Sequence, residues 1–118
     1  MKPSEEFILH EQCAPRRILQ LFATKWPSMV LYALHHRTFR TGELQRALPG
    51  ISKKMLTQTL RDLEQAELIE RKVYREVPPK VEYSLTPVGQ VFIEPIEMLY
   101  EWGRQHEAEL SRLNWYDR

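Results

Sequence analysis

Between Ser52 and Ala66 the sequence places Lys53, Lys54, Thr57, Gln58 and Arg61 off an apolar stripe made of Met55, Leu56, Leu60 and Leu63. At helical spacing these two sets occupy different faces, so the stripe is expected inside and the polar row outside. Ser52 is a good N-cap for such a helix. Lysines in the first turn can meet phosphate together with the free backbone N–H groups there. Gln58 and Arg61 carry the donors and acceptors that match adenine and guanine edges in a major groove. Charge order supports a role for this face. Lys53 and Lys54 stand at the positive end of the helix dipole, while Asp62, Glu64 and Glu67 gather at the negative end, at a cost of roughly 0.3–1 kcal/mol for each exposed group. An order that costs stability points to contact with duplex DNA; the alternative is a solvated face with no partner.

A second group of cations, Arg71, Lys72, Arg75 and Lys80, follows directly. Residues 68–75 and 80–85 alternate in character, with Ile69, Arg71 and Val73 on one parity and Glu70, Lys72 and Tyr74 on the other, which predicts a β-hairpin. Pro78-Pro79 removes two backbone donors at its tip and stiffens it, so it is expected as a protruding arm. Such arms reach phosphate or a minor groove; alternatively, the ribbon only covers the core. Arg40, just ahead of the preceding helix, and Ser52 join the DNA-facing set.

The elements that must position these side chains can be read on either side. Thr41-Gly42-Glu43-Leu44 starts a short helix bearing Leu44, Ala47 and Leu48, and Pro49-Gly50 stops it. With the Ser52 helix this makes a helix-turn-helix over about 40–66, followed by a wing over about 68–86. Upstream, Pro15 opens a helix carrying Ile18, Leu19 and Phe22, and Pro27 opens another, from about Trp26 to His35, with Val30, Leu31 and Leu34 suited to the core. Downstream, Thr86-Pro87 begins a long final helix that Pro95 should bend. Phe92, Ile96, Leu99, Gly103, His106 and Leu110 follow a three-four spacing along it, with Trp102 alongside, which reads as a seam for a partner helix. The expected fold is mainly α, five helical stretches around a small antiparallel β-hairpin, in one winged helix-turn-helix domain over 1–118. Terminal helices at about 1–24 and 87–113 would form a homodimer.

With 118 residues, 42% apolar and 28% charged, the chain can bury a core and is too short for two ordinary domains. Its net charge of +1 conceals an uneven distribution. Residues 37–80 hold ten basic against six acidic residues, and residues 81–118 hold three against seven. The longest clean apolar run, Met29 to Leu34, is far below the roughly 20 residues that span a bilayer, and no signal segment is read at the start, so no membrane association and a cytoplasmic location are expected. The single Cys13 excludes an intrachain disulfide. No Cys/His cluster has zinc-like spacing and no glycine loop cradles phosphate, so no metal, cofactor or catalytic residue is expected. Two other classes compete with DNA binding. One is a small thiol- or metal-dependent protein using Cys13 and a histidine. The other is a winged-helix protein-interaction module that uses the aromatic final helix, with Tyr100, Trp102, Trp115 and Tyr116, and never touches DNA.

Leu48-Pro49-Gly50-Ile51-Ser52, Met55-Leu56-Thr57, Leu60-Arg61-Asp62-Leu63-Glu64 and Val77 through Thr86 together resemble HxlR-type transcriptional regulators, a group related to MarR. The resemblance runs from Cys13 through Lys25-Trp26 to Trp102-Gly103. It implies a dimeric, sequence-specific regulator, a repressor by default, that binds an inverted-repeat operator. Ala14, Thr41 and Glu67 depart from the family pattern; Glu67 stands where glycine is usual, so either modest backbone strain or a different helix ending is expected there. The resemblance also suggests Cys13 as a sensor of an electrophile or oxidant. A helix start with Arg16 and Arg17 nearby would favour a thiolate, while an inert, packed cysteine is the other reading.

Overall fold

The computed structural model describes residues 8–113. The part of the expected N-terminal dimerisation segment at 1–7, and Trp115 and Tyr116, lie outside the described residues. Seven helices and three strands follow in the order α1 (Ala14–Leu21), α2 (Lys25–His36), β1 (Phe39–Arg40), α3 (Thr41–Ala47), α4 (Lys53–Gln65), β2 (Ile69–Tyr74), β3 (Lys80–Leu85), α5 (Pro87–Val91), α6 (Ile93–Gln105) and α7 (Glu107–Leu110). The helix-turn-helix is α3 and α4, and the wing is β2 and β3. The fold is a winged helix-turn-helix, mostly helical with a small antiparallel sheet.

Val30, Leu31 and Leu34 of α2 are buried, as their spacing requires, and α2 lies at the centre of the core. Leu44, Leu56, Leu60, Leu63, Ile69, Tyr83 and Ile93 close around them. Each such side chain contributes roughly 1.5–3 kcal/mol on leaving water. The buried stripe of α4 is Leu56, Thr59, Leu60 and Leu63. Met55, expected on that stripe, is 45% exposed, because one residue before Leu56 is about 100° around the helix. Ala47 and Leu19 are likewise exposed. Ser52 caps α4 by accepting from the Met55 N–H at 3.0 Å, and Thr86 caps α5 by accepting from the Gly89 N–H at 2.9 Å.

The sheet has one strand more than the expected hairpin. β1 pairs with β3, giving the order β1-β3-β2 with Phe39 opposite Tyr83 and Arg40 opposite Glu82. Two residues are too few to show alternation, so nothing in the sequence announced this strand. β2 begins at Ile69, one residue after the expected start. Leu68 belongs instead to the ending of α4. There the Glu67 N–H donates to the Glu64 carbonyl and the Leu68 N–H to the Leu63 carbonyl, both at 3.0 Å, the paired hydrogen bonds of a Schellman turn. Glu67 holds the left-handed position of that turn at φ 62°, a conformation that strains any residue with a Cβ. The strain read from its departure from glycine is therefore located.

The long final helix is three helices, interrupted at Phe92 and His106. The first break falls three residues before Pro95, not at it. Pro95 is the third residue of α6, where its missing N–H has no partner to lose, and its ring would strike the carbonyl four residues back in a continuous helix. α5 packs so closely on the turn between α4 and the wing that a Cβ at Gly89 would collide with the Leu68 carbonyl oxygen. Among the described residues no helix is long and apolar enough to cross a membrane.

Candidate nucleic-acid interface

The polar row of α4 emerges as one surface. Lys53, Lys54, Thr57, Gln58 and Arg61 line a single open depression of about 510 Å³ on the outward face of the helix. Helical spacing alone places them there, because Leu56, Leu60 and Leu63 turn the opposite face into the core. The Thr57 hydroxyl donates to the Lys53 carbonyl at 2.9 Å, and the Gln58 Nε2 donates to the Asp62 carboxylate at 2.9 Å. A smaller cleft of about 160 Å³ continues toward the wing, sharing Thr57 and Arg61 and adding Thr41, Glu64, Arg71 and Tyr83. Arg71 Nε lies 3.6 Å from Glu64, which ties the wing to α4.

The remaining cations form a second group. Strand pairing sets Arg40, Glu82 and Lys72 in one row across the sheet, and Tyr74 opposite Lys80 beside it. Cross-strand partners share a face, so this row lies on the face away from buried Phe39 and Tyr83. The Lys72 and Lys80 ammonium groups stand 5.0 and 4.6 Å from the Tyr74 ring centroid, and Lys80 pairs with Glu82 at 3.5 Å. Arg75 is exposed just beyond β2. Arg71 thus joins the α4 surface, while Arg40, Lys72 and Lys80 do not. The backbone N–H of Arg40 donates to Glu43 at 2.9 Å, capping α3; this bond, with Arg37 nearby, holds the Glu43 carboxyl below its ordinary value.

Two partners on this surface escaped the sequence reading. Asp62 and Glu64 read as misplaced acids, yet each meets a side chain of the DNA-facing set. The four-residue interval from Gln58 to Asp62 was the available signal for the first. Nothing local marks the second, since Glu64 and Arg71 meet only through the fold.

The proposed seam is divided by the structure. Ile96 is fully buried in the chain's own core, so it is no candidate for a partner contact; it faces α2 because α6 packs there on its N-terminal half. Phe92 is half-buried beside that core. Leu99 and Trp102 remain 54% and 53% exposed. Trp102 stacks on His106, with centroids 3.9 Å apart and planes 12° from parallel, and Gly103 lies under Leu110. Between α1, the end of α4 and α5 runs an open apolar cavity of about 560 Å³, lined by Arg17, Ile18, Leu21, Leu68, Val88 and Phe92 among others.

Cys13 is the N-cap of α1 and half-buried. Of the two arginines expected beside it, Arg16 donates to the Leu9 carbonyl at 3.2 Å and Arg17 lines the apolar cavity. Among the described residues no group of three His, Cys, Asp or Glu side chains is placed to hold a metal ion.

Comparison with known proteins agrees with this geometry. Residues 21–111 match the HxlR-like helix-turn-helix family. The chain is 46% identical over 84 residues, 71% of each protein, to YkvN of Bacillus subtilis, named as an uncharacterized helix-turn-helix transcriptional regulator. Among solved structures it is similar to a regulator named to the MarR family from Porphyromonas gingivalis, at 43% identity and a TM-score of 0.79, covering 84% of this chain and 97% of the other. The redox regulator HypR in its reduced form matches at 34% identity and a TM-score of 0.80, over 86% of this chain and 100% of that one.

Proposed function

Because the chain belongs to the HxlR-like helix-turn-helix family and is a transcriptional regulator with a helix-turn-helix DNA-binding domain, we propose that it works as a homodimeric repressor whose α4 enters the major groove of an inverted-repeat operator. The observation that carries this reading is the single open surface formed by Lys53, Lys54, Thr57, Gln58 and Arg61. Lys53 and Lys54, beside the Ser52-capped start of α4, hold phosphate, and Thr57, Gln58 and Arg61 face base edges. Arg71 follows the groove wall from the wing. Arg40, Lys72, Arg75 and Lys80 reach flanking phosphate or the adjacent minor groove from the outer face of the sheet. A two-fold dimer through α1 and α5–α7 sets half-sites about one helical turn, or a small multiple, apart. The protein acts in the cytoplasm.

The experiment is selection of duplex DNA from a random pool, followed by salt titration. Lys54→Ala should weaken binding to all sequences and reduce the salt slope by about 1, whereas Gln58→Ala should relax the preference at one base pair of each half-site. An unchanged slope for Lys54→Ala would remove its phosphate role.

Control by an electrophile or oxidant through Cys13 is the second part of the reading. It is favoured by the position of Cys13 as the α1 N-cap, next to the elements proposed to dimerise, and by the likeness to a redox regulator. With one cysteine per chain, the chemistry is alkylation, a mixed disulfide with a small thiol, or a bridge between two copies of Cys13. Diamide or quinone should release wild type from its operator and leave Cys13→Ser bound; equal release of both would sink it.

A further inference from the structure

We propose that Asp62 is a positioning residue that fixes the sense in which Gln58 presents its carboxamide, making Gln58 a reader of adenine. This rests on the proposed entry of α4 into the major groove. Gln58 Nε2 donates to Asp62 Oδ1 at 2.9 Å across one turn of α4. Gln58 in turn lines the depression formed with Lys53, Lys54, Thr57 and Arg61.

A glutamine amide has two nearly isosteric ends of opposite character, and rotation by half a turn exchanges donor for acceptor. Unrestrained, Gln58 would meet an amino group in one rotamer and a keto group in the other. An ionised carboxylate only accepts, so Asp62 can face the NH2 end and never the carbonyl. One N–H is then committed to Asp62, leaving the carbonyl oxygen and the second N–H. That pair is complementary to the N6 amino group and N7 of adenine, side by side in the major groove. Both side chains are exposed in the free protein. Seating against a base pair removes the competing water and strengthens the restraint when it matters.

The same assignment accounts for a carboxylate on a surface otherwise built to approach phosphate. Asp62 opposes phosphate and stands against the helix dipole, so overall affinity suffers while discrimination gains. Those opposite effects separate a positioning role from a structural one.

The test uses the full chain and its selected operator, with single-base variants and an unrelated duplex as probes. Asp62→Asn keeps the shape and can still pair with Gln58 in either sense. It should lower the preference for adenine at the base pair that Gln58→Ala relaxes, by roughly 5–10-fold, while binding the unrelated duplex at least as tightly as wild type. Full preference retained in Asp62→Asn overturns the assignment, as does a Gln58→Ala protein with unaltered base preference. A wild type that selects no sequence overturns the groove-reading function itself. Independently of DNA, the side-chain amide hydrogens of Gln58 should shift in NMR spectra as acid protonates Asp62, and should stay still in Asp62→Asn. An acid-insensitive Gln58 amide in wild type also overturns it.

Discussion

The winged-helix half, from α2 through β3, turns its large apolar side chains inward, whereas the elements at its two ends leave theirs in water. Thirteen large hydrophobic side chains are exposed among the described residues, and ten of them, including Leu19, Met98, Leu99 and Trp102, lie before α2 or after β3. α6 shows both behaviours in one helix: Ile93 and Ile96 complete the core, while Met98, Leu99 and Trp102 face outward. Charge divides in parallel, with the basic excess in residues 37–80 and the acidic excess in residues 81–118. One half has a finished interior and a polar exterior. The other leaves apolar side chains exposed, the surface that the proposed dimer would cover. Net charge of +1 is therefore a cancellation between a basic and an acidic stretch of the chain, and under the proposed function the field at the basic face governs approach to DNA.

The largest test of this contrast is Leu31→Ala. Leu31 is fully buried at the centre of α2, and its truncation should cost about 2–5 kcal/mol of unfolding free energy. Denaturant melts should show the same loss at every protein concentration, because the cavity lies within one chain. Trp102→Ala tests the other half. As an aromatic anchor of a dimer face it should cost about 2 kcal/mol of association, read as a dimer dissociation constant raised roughly 30-fold in sedimentation. A wild type that is monomeric at micromolar concentration would break the comparison, since the apolar ends would then have no covering copy.

The same division explains what could be read without a structure. The α2 core and the polar face of α4 were legible because both rest on helical periodicity, which local spacing expresses directly. Ile96 was misread because a three-four spacing cannot say whether a helix faces its own core or a partner. Met55 was misread because it adjoins Leu56 in sequence yet stands about 100° around the helix from it, beyond the edge of the buried stripe. β1 is two residues long and owes its existence to β3, more than forty positions later in the chain. Glu64 with Arg71 is likewise a product of the wing folding back on α4. The shared surface of α4 was therefore legible from spacing, and the side chains that tie into it were not.

Glu67→Gly addresses the junction where α4 hands over to the wing. Glu67 adopts φ 62°, a conformation costing a residue with a Cβ roughly 1–2 kcal/mol, while glycine gives back about 0.5–1 kcal/mol through its unfolded freedom. The variant should gain roughly 0.5–1 kcal/mol in a thermal or denaturant melt, with the Schellman hydrogen bonds intact. Operator affinity should be unchanged, because the turn positions the wing without touching the α4 surface. A destabilised variant would mean that the Glu67 side chain contributes more than its backbone costs.

The smallest effect separates two carboxylates that look alike in sequence. Glu43 accepts from the Arg40 backbone N–H at 2.9 Å, and this bond, more than Arg37 or Arg40 charge, holds its carboxyl below the ordinary 4.5. Glu101 pairs with Arg104 at 2.8 Å across one turn of α6, on a surface where such pairs contribute little. A carboxyl depressed by folding binds its proton more readily in the unfolded chain, so its contribution is present above 4.5 and is lost as pH falls below that through the folded value. Glu43→Gln can still accept from the Arg40 N–H through its amide oxygen, but it no longer titrates. The stability of wild type relative to Glu43→Gln should therefore decline as pH falls through and below 4.5. Paired denaturant melts of wild type and Glu43→Gln across that range measure the difference, and parallel curves would show that the cap of α3 is no more than another surface pair.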